Sequence, residues 1–252
     1  MKRQLQFVHI GKCGGSTIFK LLSNSKLVKD RYSSFFESHI NGVRISSECD
    51  YLICLRNPIS RAFSAFEWRR KLVVEDALPD QVNRFPGEKI VLIKYESLNS
   101  MAHALYRDDQ TLDQSVARDF NLVHHLRESI SFYLTPLLPV LSSTNIFGVI
   151  CQESLARDSK SLLGVDASTL FVRRNAQKKP MNTHLDELAC NNLRRYLSKD
   201  YQCISALWAL GRLDDQSFFR LMTNQEVIYL QSFAFIFAPL RLMFIGASGF
   251  PA

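Results

Sequence analysis

The chain has 252 residues, 46% apolar and 22% charged, and its 31 Lys and Arg against 24 Asp and Glu leave a formal net charge of +7. That length can bury one good α/β core and predicts one main domain. The excess of positive charge suits an anionic cofactor or a polyanionic acceptor, but no zinc-finger or RNA-binding signature accompanies it, so nucleic acid is not an expected partner.

The first predicted element is an apolar strand over 5–10, running into FVHIGKCGGST at 7–17. Lys12, Gly14 and Gly15 lie in the loop, and Ser16 and Thr17 open a predicted helix over 15–23. Strand, glycine-bearing turn and helix start form an anion cradle, because backbone N–H groups and the positive end of the helix dipole meet there. Glycine allows close approach to a phosphate. The order of residues differs from the nucleotide-triphosphate pattern GxxxxGK[ST], since Lys12 precedes the glycine pair. A plain tight turn is the simpler alternative.

A polar connection follows, with FFESHINGV at 35–43. Tyr51–Leu55 is a continuous apolar run, fit for a buried parallel strand. Arg56 stands at its carboxyl end, Asn57 is a good N-cap and Pro58 a good first helical residue. The helix is predicted over 58–71, with Arg61 and Ser64 three apart on one face. Ligands of open α/β sheets bind beyond the carboxyl ends of strands, so Lys12 and Arg56 are expected at one crevice. Further along, 75–88 reads as a loop, 89–94 (KIVLIK) as a strand and 96–130 as mostly helical. Pro136 and Pro139 break the next stretch. Strand 146–150, helix 151–163, strand 169–173 and a long helix near 185–210 complete the pattern. Alternating strands and helices predict a three-layer α/β/α fold, P-loop-like, with a central parallel sheet. The domain is expected over 1–215, followed by an apolar tail over 216–252. From Val227 to Phe250 only Arg241 is charged, so this tail packs on the domain or a partner, lies on a membrane surface, or spans it.

The two segments FVHIGKCGGST and LRNPISRAFSAF resemble the two cofactor-binding motifs of sulfotransferases that use 3′-phosphoadenosine-5′-phosphosulfate (PAPS). The resemblance is to carbohydrate sulfotransferases of the heparan sulfate 2-O and 6-O type and their bacterial relatives. Their motifs read roughly hhHhxKTGGTSh and hRDPhxRhhSxh; Cys13 and Asn57 depart from them. IFGVICQESL (146–155) and NNLRRYLSKDY (191–201) resemble later segments of that family.

The resemblance implies sulfuryl transfer from PAPS to an acceptor hydroxyl, in line and without a metal. It implies that Lys12 neutralises the leaving oxygen, that Gly14, Gly15, Ser16 and Thr17 hold the 5′-phosphate, and that Arg56 and Ser64 grip the 3′-phosphate. Arg suits that grip because its fork binds phosphate oxygens in pairs. Arg173 is expected to add charge there or to face an acidic acceptor, as Arg174 could. A general base is expected between the two motifs: His39, which titrates near neutral pH, or Glu37. His9 reads as a satisfied core-edge residue. His124-His125 reads as no metal site, because adjacent histidines on a helix point apart and no carboxylate is spaced to join them. Arg69, Arg70 and Lys71 either line an acceptor groove or form a solvated helix end.

The implied acceptor is a carbohydrate hydroxyl. Two other classes stay open, an ATP-dependent phosphotransferase and a non-catalytic binder of nucleotides or anionic glycans. The six cysteines form no CxxC pair and no disulfide-rich spacing, so reduced thiols are expected. Cys54 reads as a buried hydrophobe and Cys13 as a thiol made reactive if the loop lowers its pKa. With no leader peptide ahead of the first strand, the expected location is cytoplasmic, with membrane association through the tail.

Overall fold

The structure, a computed structural model, describes residues 2–142, 145–167 and 185–223. The predicted strand at 169–173, Arg173, Arg174 and the tail beyond Thr223 lie outside them. The architecture is a three-layer α/β/α arrangement around a parallel sheet of four strands, β1 (Gln4–Val8), β2 (Ser34–Ser38), β3 (Cys49–Leu55) and β4 (Ile146–Cys151), in the order β2-β1-β3-β4. All seven residues of β3 are buried, as a parallel strand covered on both faces requires.

The chain leaves β1 for β2 on one side and β3 for β4 on the other. The junction between β1 and β3 is therefore the topological switch point of the sheet, where open α/β folds place their ligands. Register sharpens this. Val8 is opposite both Ser38 and Ile53, so β1, β2 and β3 end along one carboxyl edge.

Two helices rise from that edge. α1 (Gly15–Asn24) buries Ile18, Leu21 and Leu22 at helical spacing. α3 (Pro58–Arg70) starts as its sequence dictates: Asn57 accepts a bond from Ser60 N at 3.0 Å, and Pro58 occupies the first turn. Asn57 Nδ2 also donates to Leu221 O at 2.7 Å, tying the cap to the last described helix.

Several elements differ from the sequence reading. Residues 34–38, read as connection, form the edge strand β2. KIVLIK is not a strand but helix α5 (Glu88–Lys94), capped by Gly87 in the left-handed region at φ 84°. Val91 and Leu92 are buried while Ile90 and Ile93 are 73% and 57% exposed, so the run is one face of a helix rather than a doubly covered strand. The helical stretch 96–130 resolves into α6 (Leu98–Ala104) and α7 (Gln114–Leu122), followed by a turn. A 3₁₀ turn at Gln152–Ser154 precedes the helix Leu155–Leu163. The long C-terminal helix breaks at Leu197 into Glu187–Tyr196 and Ser198–Ala209. A further helix, Asp215–Thr223, buries Phe218 and Leu221 in the core, so the packed domain continues past position 216. Among the described residues no helix is long and apolar enough to cross a membrane.

A second core, built by α3, α5, α6 and α7, carries a fully buried ion pair. Arg69 donates to both oxygens of Glu88, at 2.9 and 2.6 Å, with the two side chains 2% and 1% exposed. Arg69 is thus no groove residue; Arg70 and Lys71 likewise pair with Glu75 and Asp76. Glu88 also accepts the His124 N–H at 2.8 Å. Breaking a buried pair leaves an uncompensated charge, so Glu88→Ala should cost about 3–5 kcal/mol. Chemical denaturation checks this; Arg69→Met with Glu88→Met should recover most of the loss.

Candidate active site

The carboxyl edge holds the cradle. Lys12 takes a left-handed backbone at φ 70° and Gly14 another at φ 81°. Gly14 is the N-cap of α1 and no side chain caps that helix. Its first N–H groups are thus open to an anion. Ser16 is exposed and Thr17 half-buried at the helix start.

Arg56 follows β3 and its Nη1 donates to the Lys12 carbonyl at 3.3 Å. The expected convergence of the two loops is therefore present. Arg56 Nε has no hydrogen-bond partner among the described residues. The Lys12 ammonium lies 4.7 Å from the centre of the Trp68 ring, on α3. Burial, then Arg56, Arg61 and Arg69, push the Lys12 pKa down to about 8. Ser64 is half-buried on α3, one turn beyond Arg61. Cys13 and Cys54 are both fully buried, and all six cysteines are free thiols.

His9 is not merely a core-edge residue. Phe7 and His9, two apart on a strand path, share one face, and their rings stack at 5.5 Å. Glu37, opposite Phe7 in register, pairs its Oε1 with His9 Nδ1. His9 N donates to Ser38 O at 2.9 Å, which extends the ladder and sets His39 beside His9, with rings 4.2 Å apart and tilted 11°. Glu37 is therefore committed to His9, while His39 stays unpaired at Nδ1 among the described residues.

The stack continues. His39 lies 5.7 Å from His125, His125 3.9 Å from His124, and His124 4.2 Å from Phe85. Six rings thus run from β1 to the turn before α5. His124 and His125 are not on a helix, since α7 ends at Leu122. They occupy a turn held by buried Arg61, which donates to His125 O at 2.5 Å and to Glu128 O. The helical reason for setting them aside fails, and the missing carboxylate is Glu128, whose Oε2 lies 3.1 Å from His124 Nδ1.

A cleft of about 740 Å³ opens beside this stack, lined by Glu37, His39, Asn41, Arg44, Arg84 and Phe85 among others. Burial and then His9 push the His39 pKa down to about 4, against the opposing pull of Glu37. Burial, then His124 and Arg61, push His125 to about 2. Both imidazoles are neutral at pH 7, and His39 presents an unprotonated ring to the cleft. Behind the cradle, Glu153 accepts Asn57 N at 2.7 Å through Oε1, and burial raises its pKa.

Sequence reasoning missed His9, Trp68 and Glu128. The i, i+2 alternation of Phe7 and His9 and the four-residue spacing of His124 and Glu128 were the available signals. No family model matches the chain, and the comparisons with curated proteins and with solved structures return no match.

Two expectations test this geometry. A Cβ on Gly15 would lie 1.9 Å from the His9 ring, so Gly15→Ala should destabilise the fold by about 1–3 kcal/mol through overpacking; a thermal melt together with a phosphate-binding titration reads both the fold and the cradle. His39 has a folded pKa below its ordinary 6.5, so the unfolded chain binds more protons between pH 6.5 and about 4. Stability should be fully present above pH 6.5 and fall as the pH drops toward 4. Melts across that range should show the fall, and His39→Gln should lessen it, with His9 and His125, also lowered from 6.5, supplying the remainder.

Proposed function

We propose that this chain is a sulfotransferase, moving the sulfuryl group of PAPS to an acceptor hydroxyl. The supporting observation is the meeting of the Lys12 and Arg56 loops at the switch point of the sheet, beside the uncapped start of α1. A carrier with phosphates at both its 5′ and 3′ positions needs two anion grips at one crevice. The cradle and Arg56 supply them, and the residue order lacks the GK[ST] sequence of ATP sites.

In this reading the N–H groups at Gly15 and Ser16, with the Thr17 hydroxyl, hold the 5′-phosphate. Lys12 leaves the Trp68 face to neutralise charge building on the departing oxygen. Arg56, with Ser64 on the helix that follows it, grips the 3′-phosphate, and Arg173 remains an expected contributor. His39 is the general base, because it is the member of the stack that lines the cleft with a neutral ring. Glu37 acts through His9, fixing the tautomer and orientation of the ring on which His39 stacks. The cleft receives the acceptor, a hydroxyl-bearing molecule of carbohydrate type. Location in the cytoplasm, with membrane contact through the tail, belongs to the same proposal.

The test compares binding of 3′,5′-adenosine bisphosphate with ADP by calorimetry. The bisphosphate should bind at least about tenfold more tightly, and Lys12→Ala and Arg56→Ala should each lose about 10–100-fold, the range of a charge-assisted hydrogen bond. Equal affinity for the two nucleotides overturns the reading. With labelled donor and a glycan panel, His39→Ala should slow transfer by about 10²–10⁴-fold at unchanged bisphosphate affinity; undiminished turnover removes His39 from the role.

A further inference from the structure

The turn between α7 and α8 (Ile130–Leu134) holds two histidines and a carboxylate that the proposed transfer does not use. His124, His125 and Glu128 each offer one ligand atom, and these atoms all lie within 4.8 Å of one another. We propose that His124, His125 and Glu128 form a binding site for a divalent transition-metal cation of the zinc type, on the wall of the cleft.

The ligand types are right. Two imidazoles and one carboxylate make a donor set that zinc takes when it keeps a fourth position open. The spacing is close to right. Bonds of about 2.0–2.1 Å in a tetrahedron place ligand atoms about 3.3 Å apart. His124 Nδ1 and Glu128 Oε2 already stand 3.1 Å apart. The His125 ring, tilted 29° from that of His124, brings the third ligand atom within 4.8 Å of the other two.

Independent observations point to a ligand. His124 is 5% exposed, and its Nδ1 faces the Glu128 carboxylate at 3.1 Å without a hydrogen bond of good geometry. A buried polar atom left without a bond is costly, and a cation would satisfy it. Glu128 is 2% exposed, so its charge is held in the interior. Its oxygens accept from His125 N at 2.7 Å and from Arg127 Nε at 2.8 Å. These bonds orient the carboxylate as outer partners orient metal ligands. Arg127 takes Oε1 through both Nε and Nη2, so Oε2 is the oxygen that keeps acceptor capacity for a metal.

The position gives the open coordination site an outlet. Phe85 stacks on His124 and His39 stacks on His125, and both Phe85 and His39 line the cleft. The pair of ligating rings thus sits between two walls of that cleft. His39 Nδ1, itself without a hydrogen bond among the described residues, is the nearest further nitrogen donor in the stack. The site stands on these residues alone and does not depend on the sulfuryl-transfer reading.

The experiment is calorimetric titration of the full chain, stripped with a chelator, by zinc chloride, with cobalt(II) as a spectroscopic probe. One zinc per chain is expected, and bound cobalt should show the intense visible bands of a four-coordinate nitrogen and oxygen site without thiolate charge transfer. His124→Phe preserves ring stacking and removes a ligand; Glu128→Gln preserves shape and removes the charge. Each should weaken zinc by at least about 100-fold, as loss of a direct ligand does. Far-ultraviolet circular dichroism confirms that both variants are folded, and if Glu128→Gln is not, His124→Phe alone decides. His103→Ala, which removes an exposed histidine paired with Asp186, should change nothing. Zinc affinity unaltered in folded His124→Phe, loss of the site in His103→Ala, or thiolate charge-transfer bands would each overturn the proposal.

Discussion

The in-register parallel pairing of β1 with both neighbours is the constraint from which the rest of the carboxyl edge follows. Val8 faces Ser38 on one side and Ile53 on the other. The loops that follow these residues must therefore begin at the same height. A slip of one residue would turn Phe7 and His9 to the opposite face of the sheet. The β1–Ile10 segment would then lose its stack with His39, and Glu37 would lose its partner. Buried apolar side chains on both faces hold the register: Leu5, Phe7 and Val8 from β1 and every position of β3 except the acid Asp50 are apolar and removed from water.

On that edge, glycine and histidine are complementary. Gly15 leaves room for the His9 ring, and Gly11 leaves room for His125, whose Nδ1 would stand 2.4 Å from a Cβ there. The cradle and the imidazole stack are thus packed into each other, and neither can be altered in isolation. Burial lowers the pKa of His9, His39 and His125 alike, which favours neutral rings at these three places in the stack. Arg61 and Lys12 already supply positive charge nearby, which further disfavours a proton on His125.

The parts of this arrangement legible in the sequence are those governed by local rules. A buried parallel strand announces itself by a continuous apolar run, as Tyr51–Leu55 does. The Asn57-Pro58 start of α3 and the glycine turn before α1 are likewise local signals. KIVLIK misled because a short apolar run fits a strand and a half-buried helix equally well; only the exposure of Ile90 and Ile93 separates them. β2 escaped notice because an edge strand of five residues with three polar positions carries little pattern. The histidine stack was beyond local rules altogether. Its members come from β1, the end of β2 and the turn after α7, and it exists only because the sheet register and Arg61 bring three distant segments together. The approach of the Lys12 and Arg56 loops was legible because a topological rule, not a contact, predicts it. Arg69 shows the opposite case: the basic end of α3 reads as surface, and only its partner on α5 reveals a buried pair.

The most direct measurement of the central claim is a crystal structure of the chain with 3′,5′-adenosine bisphosphate. One phosphate should lie within hydrogen-bond distance of the Gly15 and Ser16 N–H groups and the other against the Arg56 guanidinium, with a single molecule bridging the two loops. A nucleotide bound with neither phosphate at these groups, or lying away from the junction of β1 and β3, would contradict it.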